Sequence, residues 1–279
     1  MGIGLVLALT AALAYGASDF VGGTGSRQHS PWAVVLIGQA CGAVLMVACG
    51  SLAAADPRAV DFAWALLAGA GSATGSLFLY RGLSRGRMGL VAPVSAVGAA
   101  VLPVLVGLAL GERPTWLAWF GILVALPGIW LVSRDSTASP ATGTRGALVD
   151  GAAAGAGFGV LFIALGQVSS NAGFMPLAAN QLFGATVTVV AAAALGQQWR
   201  PRLGVLPWGG ASGALGAAGT VTFLLSTHAT DLGVAAVLTS LYPTVTVLLA
   251  SIVLGERLAS GQRLGIGICT LAVATLAIG

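Results

Sequence analysis

Residues 108–116 read LALGERPTW and residues 252–260 read IVLGERLAS, so Leu-Gly-Glu-Arg occurs twice, with Glu112 and Glu256 144 residues apart, in a chain of which 7% is charged. The same offset aligns, without a gap, Trp64 with Trp208, Gly69 with Gly213, Gly75 with Gly219, Gly89 with Gly233 and Ala92 with Ala236. Downstream it brings Gly121-Ile122 onto Gly265-Ile266. Chance gives two Ala- and Gly-rich stretches some shared small residues. It does not put a paired tryptophan and a paired Gly-Glu-Arg into one register, so the chain reads as an internal duplication.

Composition says what is duplicated. Of 279 residues 57% are hydrophobic and the mean hydropathy is +0.95, more apolar surface than a soluble domain hides in one core. A hydrocarbon layer about 30 Å thick needs about 20 apolar residues per helix. Ten such runs can be marked off, at residues 2–22, 31–53, 62–84, 88–110, 115–133, 146–168, 174–196, 205–227, 233–254 and 260–278. The 42 glycines and 11 prolines suit membrane helices, where neighbouring helices satisfy freed backbone groups. The first run has no positively charged leader before it and reads as a retained helix rather than a signal peptide.

The stretch RDSTASPATGTR, residues 134–145, is the one that reads as a linker. It separates a first repeat, 1–133, from a second, 146–279, with five runs in each. An odd number of crossings and a linker too short to hide another make the two repeats enter the membrane in opposite senses. The expected fold is an all-α integral membrane protein, multi-pass in the cell membrane, of ten transmembrane helices arranged as two inverted five-helix repeats.

All 12 basic residues are arginine. The absence of lysine removes the phosphate-gripping residue of a Walker A loop and any Schiff base. Arginines scattered between apolar runs read as anchors at a membrane surface, not as a nucleic-acid stripe. The densest group, Arg81, Arg85 and Arg87, reads as facing headgroups, with attraction of anionic solutes to one entrance as the other option. Cys41, Cys49 and Cys269 lie in apolar runs and read as reduced packing residues. His29 and His228 are solitary, and no His-Glu-x-x-His, Cys-x-x-Cys or nucleophile elbow with a triad is present. No catalytic, metal or cofactor site is expected. A passive channel or a scaffold remains as the alternative, although nothing suggests the rings of charge or carbonyls that a channel filter needs.

With these features in place, residues 80–132, YRGLSRGRMGLVAPVSAVGAAVLPVLVGLALGERPTWLAWFGILVALPGIWLV, and their echo at 232–268, LGVAAVLTSLYPTVTVLLASIVLGERLASGQRLGIGI, resemble the EamA repeat of the drug/metabolite transporter superfamily. The likeness extends over nearly the whole chain as two tandem copies. It implies a ten-helix secondary transporter with a central cavity, taking amino-acid-like or other small polar or amphipathic solutes, often for export. The partners so implied are a small-molecule solute and the lipid bilayer, with a homodimer left open and no nucleic acid.

Polar residues inside a membrane are costly and face the protein interior. Gln39 and Gln181 both begin a Gln-x-x-Gly pattern, ending at Gly42 and Gly184, near the middle of the second helix of each repeat. They are expected to meet near a pseudo-twofold axis as substrate contacts, with Asn180 a companion; interhelical packing is the competing role. Tyr242 precedes Pro243 in the middle of the ninth helix, where proline frees a carbonyl that can face a cavity. Ser95 and Thr239 are repeat-equivalent hydroxyls, and these three residues complete the candidate substrate site. Hydroxyls in membrane helices more often bond their own backbone.

Asp19 reads as the only carboxylate inside a helix rather than near a loop, and is the candidate for proton coupling or for attracting a cationic solute; pairing with Arg27 or hydration at the helix end competes. Glu112 and Glu256 read as helix-end markers, with a gating ion pair as the other option. Trp64, Trp116 and Trp208 read as interface anchors, and Tyr80 as a cavity or belt residue. The spacings Gly71/Gly75, Gly151/Gly155 and Gly209/Gly213 read as close helix packing. Orientation is open at this stage. All arginines but Arg58 and Arg113 fall in loops after odd-numbered helices, which by the positive-inside rule places both termini outside, whereas the resemblance implies cytoplasmic termini.

Overall fold

The chain was described from a computed structural model covering residues 2–52, 55–84, 88–134 and 144–278, with the side chains of 80, 82–84, 88, 89 and 144 outside the described set. Arg85, Arg87, the Tyr80 ring and most of the 134–145 linker therefore lie outside the described residues. The rest is helical: α1 (Gly2–Ser26), α2 (Pro31–Leu52), α3 (Ala59–Ser84), α4 (Met88–Ala109), α5 (Trp116–Ser133), α6 (Thr144–Gly166), α7 (Met175–Ala194), α8 (Leu206–Thr227), α9 (Leu232–Thr239), α10 (Tyr242–Leu254) and α11 (Ser260–Ile278). Among the described residues nine stretches are long and apolar enough to cross a membrane, with Leu232–Leu254 counted as one. The tenth crossing is α8, made less apolar by Gly209, Gly210, Gly213, Gly216 and Gly219.

Local chemistry sets the ends. Pro31, Pro176, Pro207 and Pro243 sit in first turns, where a missing N–H costs nothing. Thr115 caps α5 by accepting from Ala118 N at 3.1 Å. Gly111 and Gly255, the glycines of the repeated tetrapeptide, have φ of +99° and +68°, a left-handed turn that a side chain would strain. The shared Gly thus stops the fourth span of each repeat.

The ninth span is split. Pro243 cannot donate to Thr239, and its ring would press on that carbonyl; the chain turns through Ser240 and Leu241 before α10 begins. Its counterpart α4 keeps its helix past Pro93 and Pro103.

The packing follows an inverted repeat. Helix α1 packs on α8 and, in the matching relation, α6 packs on α3; α2 on α8 is matched by α7 on α3, and α1 on α9 and α10 by α6 on α4. Three pairs, α2 with α7, α5 with α11 and α4 with α9, join equivalent helices across the axis. The α2 N-terminus and the α7 C-terminus share one membrane face, since Pro31 and Gln197 line the same opening. Equivalent helices therefore run antiparallel. Glycines allow the tight crossings: a Cβ on Gly98 or Gly155 would stand 3.0 Å from the other's Cα, and one on Gly75 would meet Phe158 at 2.7 Å. Gly209 and Gly213 meet Ile37 and Gly38 in the same way.

Candidate functional site

A cavity of about 1970 Å³ opens on one membrane face, between the end of α1, the start of α2, the end of α7 and the α10–α11 turn. That is roughly twice the largest ordinary ligand pocket, so it combines a binding chamber with a vestibule. The opposite face, which carries both termini, is shut.

At the rim, Arg27 Nη2 holds Glu256 Oε1 at 2.8 Å, both partly exposed. Asp19 lies deeper on α1, one helical turn after Tyr15 on the same face. Both residues line the cavity with Tyr242 and Phe162. Among the described residues Asp19 makes no ion pair; the pairing with Arg27 weighed from sequence does not form, because Arg27 reaches Glu256. Tyr15 Oη shares a hydrogen bond with Thr220 Oγ1 at 3.0 Å. Ser18 Oγ donates to Ser212 O at 2.8 Å and Ser212 Oγ to Ser18 O at 3.0 Å, which fastens α1 to α8 beside the acid.

Gln39 and Gln181 come together as expected and both line the cavity. Each amide lies over the other pattern's glycine: the Gln181 side chain fills the space beside Gly42, and a Cβ on Gly184 would stand 2.9 Å from Gln39 Nε2. Gln39 Oε1 also accepts from Thr188 Oγ1 at 3.1 Å. Packing and lining are thus combined in one pair. Asn180 on α7 and Ser95 on α4 are buried and also line the cavity, and Asn180 Oδ1 and Ser95 Oγ have no hydrogen-bond partner among the described residues. Thr239 is elsewhere: it is fully buried, donates to Ala8 O at 3.4 Å and does not line the cavity.

Two further helix carboxylates are buried, and Asp150 corrects the expectation that Asp19 alone lies within a helix away from a loop. Asp150, two turns into α6 and 1% exposed, takes Arg81 Nε at 2.8 Å, while the guanidinium stacks on Phe78 at 4.5 Å. Arg81 lines the cavity rather than facing headgroups, for a buried acid needs a partner more than the lipid does. Asp61, with no exposure, accepts from Arg58 N at 2.8 Å and Ser169 N at 2.9 Å. It caps α3 and reaches into the second repeat.

Hydrogen bonds between the repeats hold the shut face among the described residues. Asp56 N donates to Asn171 O at 3.0 Å beside the Asp61 bond to Ser169, while within the second repeat His228 Nε2 lies 2.9 Å from Val168 O. Glu112 reaches across to the start of α9, with Oε1 accepting from Leu232 N at 2.5 Å and Oε2 from Gly233 N at 3.2 Å. Burial pushes the Glu112 carboxyl above the usual carboxylate range; the Gly233 and Leu232 amides pull it back and Asp231 adds to the rise. Sequence reading missed Tyr15, Ser18, Ser212 and Thr220, whose partners lie about two hundred residues away and leave no local pattern.

Inverted five-helix repeats around a cavity that, among the described residues, opens on one membrane face fit a membrane transporter. The chain belongs to the EamA-like transporter family, whose family model matches residues 2–134 and again 147–278, and so to the drug/metabolite transporter superfamily. A solved structure titled "Crystal structure of protein" is similar in fold, with a TM-score of 0.78 at 15% identity over 99% of this chain and 97% of that one. No curated protein matches the sequence.

Proposed function

We propose that the protein is a secondary active transporter that exports small amphipathic solutes, amino-acid-like or cationic, by alternating access. The observation that carries the reading is the one-sided cavity: a chamber large enough for a metabolite, ending at a face held shut by inter-repeat hydrogen bonds. Its wall is mostly apolar, which favours an amphipathic cargo, and its polar groups include the Gln39 and Gln181 amides, with the buried and unpartnered Asn180 Oδ1 and Ser95 Oγ behind the surface. Tyr242, at the break in the ninth span, supplies an aromatic face beside them.

Asp19 is the acid that faces this chamber without an ion-pair partner among the described residues. It supplies a negative charge for a cationic group and, when empty, a place for a proton, so that solute and proton exchange for one another at one site. Vesicles preloaded with unlabelled solute test the reading: trans-acceleration of labelled uptake is expected of a carrier, and its absence across amino acids, small amines and sugars identifies a channel or scaffold instead. Asp19→Asn is expected to remove the pH dependence of uptake while leaving solute exchange measurable. Unchanged pH dependence takes Asp19 out of the scheme.

A further inference from the structure

Glu112 and Glu256 hold the same place in the two repeats, yet their surroundings differ. Glu112, on the shut face, accepts from the amides of Leu232 and Gly233, the first two residues of α9. Those amides have no partner within their own helix, and the helix dipole favours an anion beside them. Glu256, on the open face, is half-exposed and its bond is to Arg27 at the rim.

The repeat offset carries Leu232 and Gly233 onto Met88 and Gly89, the first two residues of α4. A matching pair of amides therefore stands at the start of the fourth span of the first repeat. The glycine of the second-repeat pair has a steric reason: a Cβ on Gly233 would come within 3.1 Å of the Val104 backbone and 3.5 Å of Glu112 Oε2. The tetrapeptide supplies the rest. Gly111 turns the chain at positive φ, Glu112 N donates back to Gly107 O at 2.9 Å, and a Cβ on Gly107 would run into the Glu112 carboxylate, so the side chain is aimed at α9.

We propose that Glu112 and Glu256 are alternating latches. Each carboxylate closes its own membrane face by capping the first amides of the fourth span in the opposite repeat, and lets them go when that face opens. The arrangement described above is the half-cycle in which Glu112 is engaged and Glu256 is released. The proposal rests on the alternating-access reading and explains why the chain keeps a glycine, a glutamate and a distant glycine pair in register twice over.

The test uses full-length protein in vesicles, in a C41S, C49S and C269A background, with Val234→Cys as the reporter. Val234 is 4% exposed and directly follows the latched Leu232 and Gly233, so its labelling rate by an impermeant maleimide from the side of the termini reads how often that face opens. Glu112→Ala is expected to raise the rate about tenfold, the effect of losing roughly one net hydrogen bond to a charged acceptor, and Glu256→Ala to lower it, because it weakens the opposite state. Glu112→Gln keeps one acceptor oxygen and should fall between; it carries the test if the alanine variant does not fold. Rates that move in the same direction in both variants, or in neither when folding is intact, overturn the latch. Counterflow on the same vesicles separates the two readings: opposite shifts without solute flux leave the latch and remove the transporter, while flux without shifts does the reverse.

Discussion

At the scale of single residues, the crossing of α2 and α7 depends on two glycines that have no side chain because another helix's amide needs the room. Gly42→Ala would put a methyl group into the Gln181 side chain, and Gly184→Ala one 2.9 Å from Gln39 Nε2. Each change overpacks a close contact and is expected to lower stability by about 1–3 kcal/mol, read as a drop in melting temperature in detergent. A larger effect on exchange rate than on melting would show that the amides also meet the solute. This pair was legible in the sequence, because the Gln-x-x-Gly pattern occurs at equivalent places and a buried amide at mid-membrane is rare enough to be noticed. Asp150 was not. Near the start of a run it resembles an interfacial acid, and only the folded chain shows α3 delivering Arg81 to it.

At the scale of the elements, the split of the ninth span separates the two repeats most clearly. Pro243 corresponds to Ala99, and α4 is unbroken where α9 and α10 are two pieces. Thr246 Oγ1, in the first turns of α10, donates to Gly16 O at 3.0 Å, so the lower piece is fastened to α1 beside Asp19. Pro243→Ala is expected to let the span continue as one helix and to slow exchange several-fold without loss of folding, measured as counterflow rate against thermal stability. The ten spans were legible because apolar runs and turn-forming residues are local properties, and their ends agree with the helices to within about one turn. The hydroxyl pairs Ser18 with Ser212 and Tyr15 with Thr220 were illegible for the opposite reason. Serine and threonine in membrane helices usually bond their own backbone, and which ones reach across depends on helix rotation.

At the scale of the whole molecule, the sequence implied two states but could not say which face would be shut, since both states share every residue. The asymmetries between the repeats decide the balance: Asp61, matched by Val205, joins the repeats on the shut face alone, and Asp19 has no acidic counterpart. Among the described residues the open face also carries every arginine except Arg58 and Arg113. If charge governs insertion, that face is cytoplasmic and the chamber opens inward. Ser51→Cys, at the end of α2, and Gln197→Cys, beyond α7, are both exposed, on opposite faces, and are expected to be labelled from opposite sides of the membrane. Labelling of Gln197→Cys from outside would instead place both termini in the cytoplasm.

The contact of Gln39 over Gly184 and Gln181 over Gly42 lies where equivalent helices cross. If the two halves exchange shapes, a contact on their symmetry axis is carried onto itself while everything away from it is rearranged. It then serves as the fulcrum of the cycle, and a disturbance there would slow the inward and outward strokes by the same factor, leaving the resting preference between them untouched.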